Sequence, residues 1–592
     1  MKPHALLTLV CLTPLLFGCG EASSSRNESS LSPETSGSSL SPSKSESVAP
    51  SSENSSESEN ETELSFKDYN AKNTKFNNDL FYRNDLELDM GDPMMVYDEE
   101  TGYFYASGTR GTTTFHCLRS KNLANWERMD DMFVPESSSW SRENLWAPDI
   151  QHINGKWYLY YTGKFENNGG SNCQIGVAVS DKPYGPYKQV KGPDGTLKTT
   201  PFMMRESEKK YCTVLDQTVF QDDNGDLYMY FSYDMRKSRK QDYAGYNVQE
   251  IWGVKMTSPT SWDLSTLKRL ASPGLARLSD KNRTVEWETW STSFSGDMEC
   301  LEGPYMIKKN GKYFLTYVGN SYVDTVYNVG YAVSDSPLGD FVKPNSKPLE
   351  NMLLGVPGND GTYVNTRYLG FMTGTGHASI CKIGDEYMFA YHAHRNRNVW
   401  GYNDDEWRCL GYDYLYFDAN GVPYTNGPTY SINRLPNKIT GYHNLSLDNG
   451  TVFSSEGKLT GLDYLHDNFT FRGQTNYERA DQDVRKEADF EGKVDVKVKL
   501  EAKKKVKFIL VNNSYSFDYK LDFIDKIGFG EGRVVKNVLF NQGYYRTKPN
   551  KWIFPHSDFV IELTEEVETD EITFTFDSNK PYSLGEIEIY GK

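Results

Sequence analysis

The chain has 592 residues, a length typical of several structural units. Apolar residues make up 37% and charged residues 24%, as in a soluble globular protein, and the formal net charge of −17 argues against nucleic acid or an anionic membrane surface as the main partner. The 41 Tyr, 30 Phe, 11 Trp and 48 Gly favour β-structure with many turns and with aromatic rings that stack on sugars, although most such rings fill sheet cores.

The N-terminus, residues 1–19, is typical of a secretory signal peptide. Lys2 and His4 precede an apolar run over residues 5–17, which is too short to cross a bilayer but suits a signal-peptide core. The run ends in Leu16-Phe17-Gly18-Cys19, which resembles a bacterial lipobox with Cys19 as the acylated residue. We therefore expect a secreted chain held at the bacterial cell surface by its lipid, with an ordinary signal peptide as the alternative.

Residues 20–64 consist almost entirely of Ser, Glu, Asn, Pro and Thr. Such a stretch cannot bury enough apolar surface to offset its ordering entropy, so we expect a disordered linker. A coil of about 40 residues reaches on the order of 35 Å, which suits a spacer between a membrane anchor and a folded domain.

One short pattern recurs five times after the linker: a polar residue, an apolar strand, a turn and an aromatic strand. Each copy predicts a hairpin, because Asn-Gly at residues 154–155, 224–225 and 310–311 supplies the positive φ that tight β-turns require. Five sheet units around one axis predict an all-β, five-bladed β-propeller over residues 65–440, with a long β-sandwich array as the alternative. The copies begin at Asp92, Asp149, Asp216, Glu302 and His377.

The residue that opens each copy is ionisable in all five. In a propeller the innermost strands start at the same end of the central channel, so we expect these five side chains to converge at equivalent positions. Clustered like charges cost stability unless a site needs them, which favours a functional cavity over five capping residues.

Several carboxylates that face one another across a funnel suit glycoside hydrolysis. One carboxyl, kept protonated, gives a proton to the leaving oxygen, and another activates a water. The anomeric configuration inverts where the two stand about 6.5–9.5 Å apart, because the water fits between them. The chain shows no Ser-His-Asp order, no Gly-rich phosphate loop and no HExxH motif that would favour another chemistry.

Three motifs make the resemblance specific. Gly91-Asp92-Pro93, Trp146-Ala147-Pro148-Asp149-Ile150 and Leu301-Glu302-Gly303-Pro304-Tyr305 resemble the catalytic motifs of glycoside hydrolase family 43. The stretch from Arg408 to Thr429 resembles the last blade of that family. The family implies an inverting five-bladed propeller enzyme that cleaves arabinose- and xylose-containing plant polysaccharides.

The resemblance also implies roles for single residues. Asp92 would be the general base, Glu302 the general acid, and Asp149 the group that orients the acid and tunes its proton affinity. His377 resembles the family's fifth-blade His, which in many members holds a hydrated calcium ion in the channel, and no organic cofactor is expected. Asp216 matches a third-blade Asp only loosely, so it is interpreted as lining the pocket. Substrate binding is assigned to Asp216, Trp146, Trp290 and His377.

The repeats stop near Lys438, and residues 441–592 are interpreted as a second domain. Its first segment, which begins Gly441-Tyr442-His443-Asn444, and its last strands resemble a discoidin-like, galactose-binding β-sandwich of the jelly-roll type. The run from Lys493 to Lys499 alternates charged and apolar residues, which predicts a strand with one solvated face. The short link from Pro436 to Tyr442 favours a docked domain over a freely tethered one.

The favoured function is an exo-acting α-L-arabinofuranosidase or β-xylosidase that works on plant polysaccharides or oligosaccharides. The alternatives are an endo-arabinanase and a non-catalytic, surface glycan-binding lipoprotein. We expect a monomer whose only membrane contact is its lipid anchor. The cysteines from Cys117 to Cys409 show no CxxC pairing and no metal-ligand spacing, which favours buried thiols.

Overall fold

A computed structural model gives the structure of the chain from residue 61 onwards. It describes residues 61–592 apart from 70–78, 85–87, 112, 168–169, 192–212, 235–246, 274–284, 291–297, 345–349, 356–371, 396–407, 430, 471–486, 515–518, 541–544, 549–550 and 554–557. The signal peptide, Cys19 and nearly all of the expected linker therefore lie outside the described residues. Among the described residues, no helix is both long and apolar enough to cross a membrane.

Five units of four antiparallel strands follow one another along the chain. The strands are β4 (Gly91–Asp98), β5 (Tyr103–Thr109), β6 (Leu118–Ser120), β7 (Glu127–Arg128), β8 (Trp146–Ile153), β9 (Lys156–Asn167), β10 (Gly170–Ser180), β11 (Lys188–Gln189), β12 (Thr213–Gln221), β13 (Leu227–Asp234), β14 (Asn247–Ser258), β15 (Ser261–Ala271), β16 (Met298–Lys309), β17 (Lys312–Gly319), β18 (Asn328–Ser334), β19 (Met352–Leu354), β20 (Met372–Ile383), β21 (Glu386–Arg395), β22 (Arg408–Phe417) and β23 (Pro423–Thr425).

These units are the blades of a closed five-bladed propeller, as predicted. The first strand of each blade contacts the first strand of the next, and β20 of the fifth blade contacts β4 of the first. Blades three and four are also joined by a short parallel pairing of β14 with β16. A two-stranded pair of β3 (Phe81–Tyr82) with β24 (Asn433–Arg434) brings the two ends of the propeller segment together.

The predicted turn chemistry is confirmed at two hairpins. Asn154 and Gly155 have φ of 50° and 74°, and Asn310 and Gly311 have φ of 49° and 76°. Two consecutive residues with positive φ are the mark of a type I′ turn, whose twist matches that of the flanking strands. Local sequence therefore determines these blade tips.

Each innermost strand carries the same irregularity, a bulge of two unpaired residues. In each strand one such bulge begins with a residue whose left-handed φ lies between 46° and 55°, which aims its side chain away from the regular pleat; β20 has a second bulge, which begins at Gly374 with a φ of 56°. The residues at this position are Asp92, Ala147, Asp216, Gly303 and His377.

The bulge corrects the prediction that the five opening residues are equivalent. Asp92, Asp216 and His377 share the first bulge position, but Glu302 comes one residue earlier, and Asp149 comes two residues later, where pairing has resumed. Sequence spacing does not reveal which residue of a bulge carries the positive φ, and a shift of one residue reverses the direction of a side chain in a strand.

The C-terminal part is a second all-β domain. Its strands are β25 (His443–Asn444), β26 (Val452–Thr460), β27 (Ala488–Asn513), β28 (Phe523–Gly528), β29 (Arg533–Leu539), β30 (Tyr545–Lys548), β31 (Lys551–Ile553), β32 (Asp558–Phe576) and β33 (Tyr582–Gly591). A short helix α1 (Asn437–Thr440) and the 3-10 turns Leu445–Leu447 and Leu462–Leu465 precede or join them. The long strands β27 and β32 pair along most of their length. The discoidin-like, jelly-roll classification stays a prediction.

The predicted alternation in β27 is confirmed. Val494, Val496 and Val498 are fully buried in the domain core, while the alternating Asp495, Lys497 and Lys499 are partly or fully exposed. Lys497 pairs with Glu456 of the neighbouring strand at 2.6 Å. This part of the strand therefore has one core face and one solvated face.

The described N-terminal residues belong to this second domain, which differs from the predicted boundary at residue 65. Strand β1 (Thr62–Glu63) pairs in parallel with β29, and β2 (Phe66–Asp68) pairs with β32. The chain thus adds two strands to the C-terminal sheet before it enters the propeller. Such pairing joins residues about 500 positions apart and leaves no local signal.

The two domains are docked through a buried apolar cluster. Phe81 and Ile432 of the propeller ends pack with Phe508, Leu510, Val560 and Tyr590 of the second domain. Arg434 places its guanidinium 4.2 Å from the centre of the Tyr414 ring and 5.5 Å from that of Tyr590, and it pairs with Glu386 at 2.6 Å. A buried, apolar and charge-paired contact of this kind favours a fixed interface.

The cysteine prediction holds where it is described. Cys117, Cys173, Cys300, Cys381 and Cys409 are buried, and none of them forms a disulfide. Cys212 lies outside the described residues.

Candidate active site

Three ionisable side chains meet where the bulges of blades one, three and five converge. The Nδ1 of His377 lies 3.3 Å from Oδ1 of Asp92 and 3.9 Å from Oδ2 of Asp216. The backbone N–H of Gly303, in the bulge of blade four, donates to Oδ2 of Asp216 at 3.3 Å. The structure therefore brings four of the five blades to one buried cluster.

Gly303 is required at its position for two reasons. Its φ of +55° is in the left-handed region, and a Cβ there would lie 3.1 Å from the His377 ring. A side chain on residue 303 would therefore strain the backbone and press on the cluster.

Asp92 is held as an ionised carboxylate. Nη1 of Arg408 donates to its Oδ1 at 2.6 Å, and Nδ1 of His392 lies 3.5 Å from the same oxygen. Burial by itself would raise the pKa of Asp92, but the charge of Arg408 and the two imidazoles lower it well below its usual range. An ionised carboxylate in such a setting can take a proton from water.

His392 lies fully buried behind Asp92. The backbone N–H of Asp92 donates to its Nδ1 at 3.2 Å, so this nitrogen acts as an acceptor and the ring is neutral. Burial lowers the pKa of His392 to about 3, which agrees with that hydrogen bond. The ring therefore positions the Asp92 backbone.

Glu302 is positioned by three side-chain donors, one of them the Cys300 thiol, whose Sγ lies 3.6 Å from Oε2. Its Oε1 accepts from the hydroxyl of Tyr327 at 2.7 Å, and its Oε2 accepts from Nε2 of Gln249 at 3.0 Å. The Tyr327 ring stacks on His392 with ring centres 5.2 Å apart. This stacking links Tyr327, which contacts Glu302, to His392, which contacts Asp92.

The pKa of Asp216 is affected by the charges of the other two carboxyls, Glu302 and Asp92. Burial raises the pKa of Asp216 well above its usual range, and the charges of Glu302 and Asp92 raise it further. Two carboxyls in one buried site hold a proton between them, because ionising both would place like charges in a poorly solvated space. Asp216 is therefore placed to keep a proton available beside Glu302.

Asp149 is placed elsewhere. Its Oδ2 accepts from the backbone N–H of Val219 at 2.8 Å, and its Oδ1 accepts from Nε2 of Gln151 at 2.9 Å. Burial raises the pKa of Asp149 to about 7, and no charge from Asp92, Asp216 or Glu302 contributes to that shift. Asp149 therefore ties blade two to blade three, and the tuning role that the resemblance implies for it stays a prediction.

Trp146 and Trp290, predicted to bind substrate, are both half-buried. Trp146 precedes its bulge at the register position that Glu302 has in blade four, so both lie on the same side of their strands. Trp290 follows the 3-10 turn Glu286–Thr289, which a buried ion pair between Glu288 and Lys343 at 2.7 Å fixes to blade four. Trp287 of that turn is buried and packs in the blade core.

The hydrated calcium ion that the resemblance implies at His377 stays a prediction. Calcium takes about six to eight oxygen ligands, whereas His377 offers a nitrogen that faces Asp92 and Asp216. In the part of the chain that the structure describes, no three His, Cys, Asp or Glu side chains are grouped to hold a metal ion.

Sequence reasoning missed four residues of this site as functional groups: Arg408, His392, Tyr327 and Gln249. His392 had a signal, because its strand alternates core and channel positions. Arg408 lies against the Gly91 backbone, where a Cβ would come within 2.2 Å of the guanidinium carbon. Gln249 and Tyr327 come from strands and loops that carry no motif, so only the tertiary structure reveals them.

Comparison with known proteins places the chain in a family. The model for "Glycosyl hydrolases family 43" matches residues 85–423. "Xylosidase/arabinosidase 43A" of Humicola insolens is 34% identical over 218 residues, which cover 35% of this chain and 59% of that protein. "Extracellular endo-alpha-(1->5)-L-arabinanase" of Thermotoga petrophila is 27% identical over 280 residues, which cover 42% of this chain and 50% of that protein.

Among solved structures, a thermostable family-43 glycoside hydrolase matches with a TM-score of 0.45 and 24% identity, over 60% of this chain and 97% of that one. The match to the family model takes in all five bulges and every residue of the Asp92, Asp216, Glu302 and His377 cluster. The chain belongs to glycosyl hydrolases family 43.

Proposed function

We propose that the chain is an inverting glycoside hydrolase that acts on arabinose- or xylose-containing plant polysaccharides or oligosaccharides. The observation that carries the proposal is that the pKa values of two carboxyls in one buried cluster, Asp92 and Asp216, are shifted in opposite directions. Arg408 and the imidazoles keep Asp92 ionised, while burial and neighbouring carboxylates raise the pKa of Asp216 and keep a proton on it. An ionised base and a protonated acid are what glycoside hydrolysis with inversion needs.

In this mechanism Asp92 is the general base. It takes a proton from a water that attacks the anomeric carbon, while Arg408 holds its carboxylate in place at 2.6 Å. Glu302 is the general acid and gives its proton to the leaving oxygen, with Tyr327 and Gln249 fixing the carboxyl. Burial and the neighbouring carboxylates raise the pKa of Asp216 well above its usual range, so the cluster holds a proton beside Glu302.

The substrate we favour is a terminal arabinofuranose or xylose, released by exo action. One matched relative is named a xylosidase/arabinosidase, which supports both sugars. An endo-arabinanase is the second candidate, since another relative carries that name.

A substrate panel tests both proposals. The purified chain is given 4-nitrophenyl α-L-arabinofuranoside, 4-nitrophenyl β-D-xyloside and debranched arabinan. Release of nitrophenol with a single product sugar supports exo action, and a rapid fall in arabinan viscosity supports endo action. Proton NMR of the first-formed sugar then reads the anomer, and a retained anomer contradicts inversion.

We also propose that the mature chain is secreted and anchored by a lipid on Cys19. The lipobox-like Leu16-Phe17-Gly18-Cys19 supports the anchor, and the extracellular relative supports secretion. Replacement Cys19→Ser should move the protein from the membrane fraction to the soluble fraction of expressing cells. An unchanged distribution would contradict the anchor.

A further inference from the structure

One aromatic side chain beside the site is unusually open. Tyr322 has 42% of its surface exposed, whereas the site residues it adjoins are buried or nearly so. It lies in the loop formed by residues 320–327, which joins β17 to β18 in blade four. None of the roles proposed above uses this ring.

The Tyr322 ring lies directly beyond the residue that holds the base. The guanidinium carbon of Arg408 is 4.9 Å from the ring centre, and the same guanidinium donates to Asp92 at 2.6 Å. Since Arg408 covers one face of the ring, the open surface of Tyr322 lies on its other face and edge. The ring therefore stands at the mouth of the cluster, on the side of Asp92.

The 320–327 loop is held firmly enough to present a ring in a fixed place. The carbonyl of Tyr322 lies 2.7 Å from Nε2 of His394, and the amide of Asn320 donates to the carbonyls of Trp287 and Val326, each at 2.8 Å. The N–H of Gly374 in blade five donates to the carbonyl of Thr325 at 3.0 Å. An aromatic ring on such a backbone binds a ligand with little ordering cost.

The 320–327 loop ends at Tyr327, beside Glu302, the proposed general acid. Tyr327 donates its hydroxyl to Glu302 at 2.7 Å. Tyr322 and Tyr327 thus reach the base side and the acid side of the cluster from one loop, so a sugar held between the two carboxyls lies beside this loop.

We infer that Tyr322 is a substrate-binding residue whose ring stacks on the sugar that is released, the one whose anomeric carbon is attacked. The C–H bonds of a sugar ring carry slight positive charge, and they suit the negative face of an aromatic ring. The inference rests on the proposed function and adds to it a residue that selects for the released sugar.

Three variants test the inference on 4-nitrophenyl α-L-arabinofuranoside and 4-nitrophenyl β-D-xyloside. Tyr322→Ala should raise KM and lower kcat/KM about 10- to 100-fold, because it removes the stacking surface. Tyr322→Phe keeps the ring and should stay within about twofold of the unchanged protein. Tyr519→Ala is the matched control, since Tyr519 is 38% exposed on the second domain, and it should change nothing.

The pH profile separates substrate contact from an indirect effect through Arg408. If Tyr322 only held Arg408, its loss would weaken the charge that lowers the pKa of Asp92, and the acidic limb of kcat/KM would move to higher pH. We expect that limb to stay in place. A shifted acidic limb, an unchanged KM, or a loss confined to longer oligosaccharides would each overturn the inference. If the unchanged protein cleaves neither aryl glycoside, the proposed function fails instead.

Discussion

At the scale of single residues, the site separates carboxyls that look alike in the sequence. Asp92 and Asp216 occupy the same bulge position, yet Asp92 faces Arg408 and Asp216 faces other carboxylates. The opposite directions of their pKa shifts follow from these neighbours. This difference suits Asp92 to act as a base and Asp216 to hold a proton.

The two carboxyls proposed as base and acid can each be replaced by an amide of nearly the same shape. Asp92→Asn and Glu302→Gln should each lower kcat about 10²- to 10⁴-fold, because each replaces an acid or base by an amide that transfers no proton. Steady-state kinetics on the aryl glycosides gives the loss, and thermal unfolding confirms that the variant is folded. Turnover close to that of the unchanged protein by either folded variant would refute its assignment.

Asp216 and Asp149 form a matched pair for the tuning role. Asp216→Asn removes the carboxyl whose raised pKa keeps a proton beside Glu302, so the alkaline limb of the pH profile should move to lower pH and the rate at neutral pH should fall. Asp149→Asn should leave that limb in place, because Asp149 contacts Val219 and Gln151 and not the cluster. A shift with Asp149→Asn and none with Asp216→Asn would support the tuning role predicted for Asp149 from the sequence.

At the scale of elements, the repeated bulge is what turns five ordinary strands into a site. Each innermost strand has a left-handed residue at the first bulge position, and only two of the five residues there are without an ionisable side chain, Ala147 and Gly303. Left-handed backbone costs a residue other than glycine about 1–2 kcal/mol. Three such residues at Asp92, Asp216 and His377 indicate that the fold tolerates strain there in order to aim these groups inward.

Glycine replacements test this element. Gly303→Ala should destabilise the protein by about 1–2 kcal/mol, and it should also lower kcat because the new methyl presses on His377. Gly311→Ala is the control, since Gly311 has a φ of +76° with nothing within 4 Å of its Cβ position. The control should lose similar stability, read by chemical denaturation, and keep its kcat. Equal kcat values for both variants would show that the bulge does not aim the cluster.

At the scale of the whole molecule, the two domains depend on each other. The chain enters through β1 and β2 in the C-terminal sheet, runs through the propeller and returns to the same sheet. Phe81, Ile432 and Arg434 are buried at the contact between the domains. The second domain therefore covers apolar surface that the propeller would otherwise expose.

A truncation after Asn437 tests this dependence. It removes the partners of β1, β2 and Phe81, so the product should be insoluble or unfold at a markedly lower temperature. Solubility, thermal unfolding and activity on aryl glycosides are measured together. A soluble truncation with full aryl-glycoside activity, which loses only binding to polysaccharide, would show that the second domain is a tethered glycan binder.

Much of this protein was determined by its sequence alone. Repeated strands and Asn-Gly turns are local patterns, so they predicted five blades, the positive-φ turns at residues 154–155 and 310–311, and the alternating face of β27. The same repeats led to Asp92, Glu302 and His377, because residue type and position in a repeat are visible without a structure.

The tertiary structure decided what depends on long-range contacts. The bulge register, which separates Asp149 from the cluster and brings Asp216 into it, depends on pairing between strands and not on residue spacing. Arg408, Gln249 and Tyr327 reach the site from three different blades, and β1 and β2 pair across nearly the whole chain. Such contacts have no local signature, because the free energy that specifies them comes from packing the complete fold.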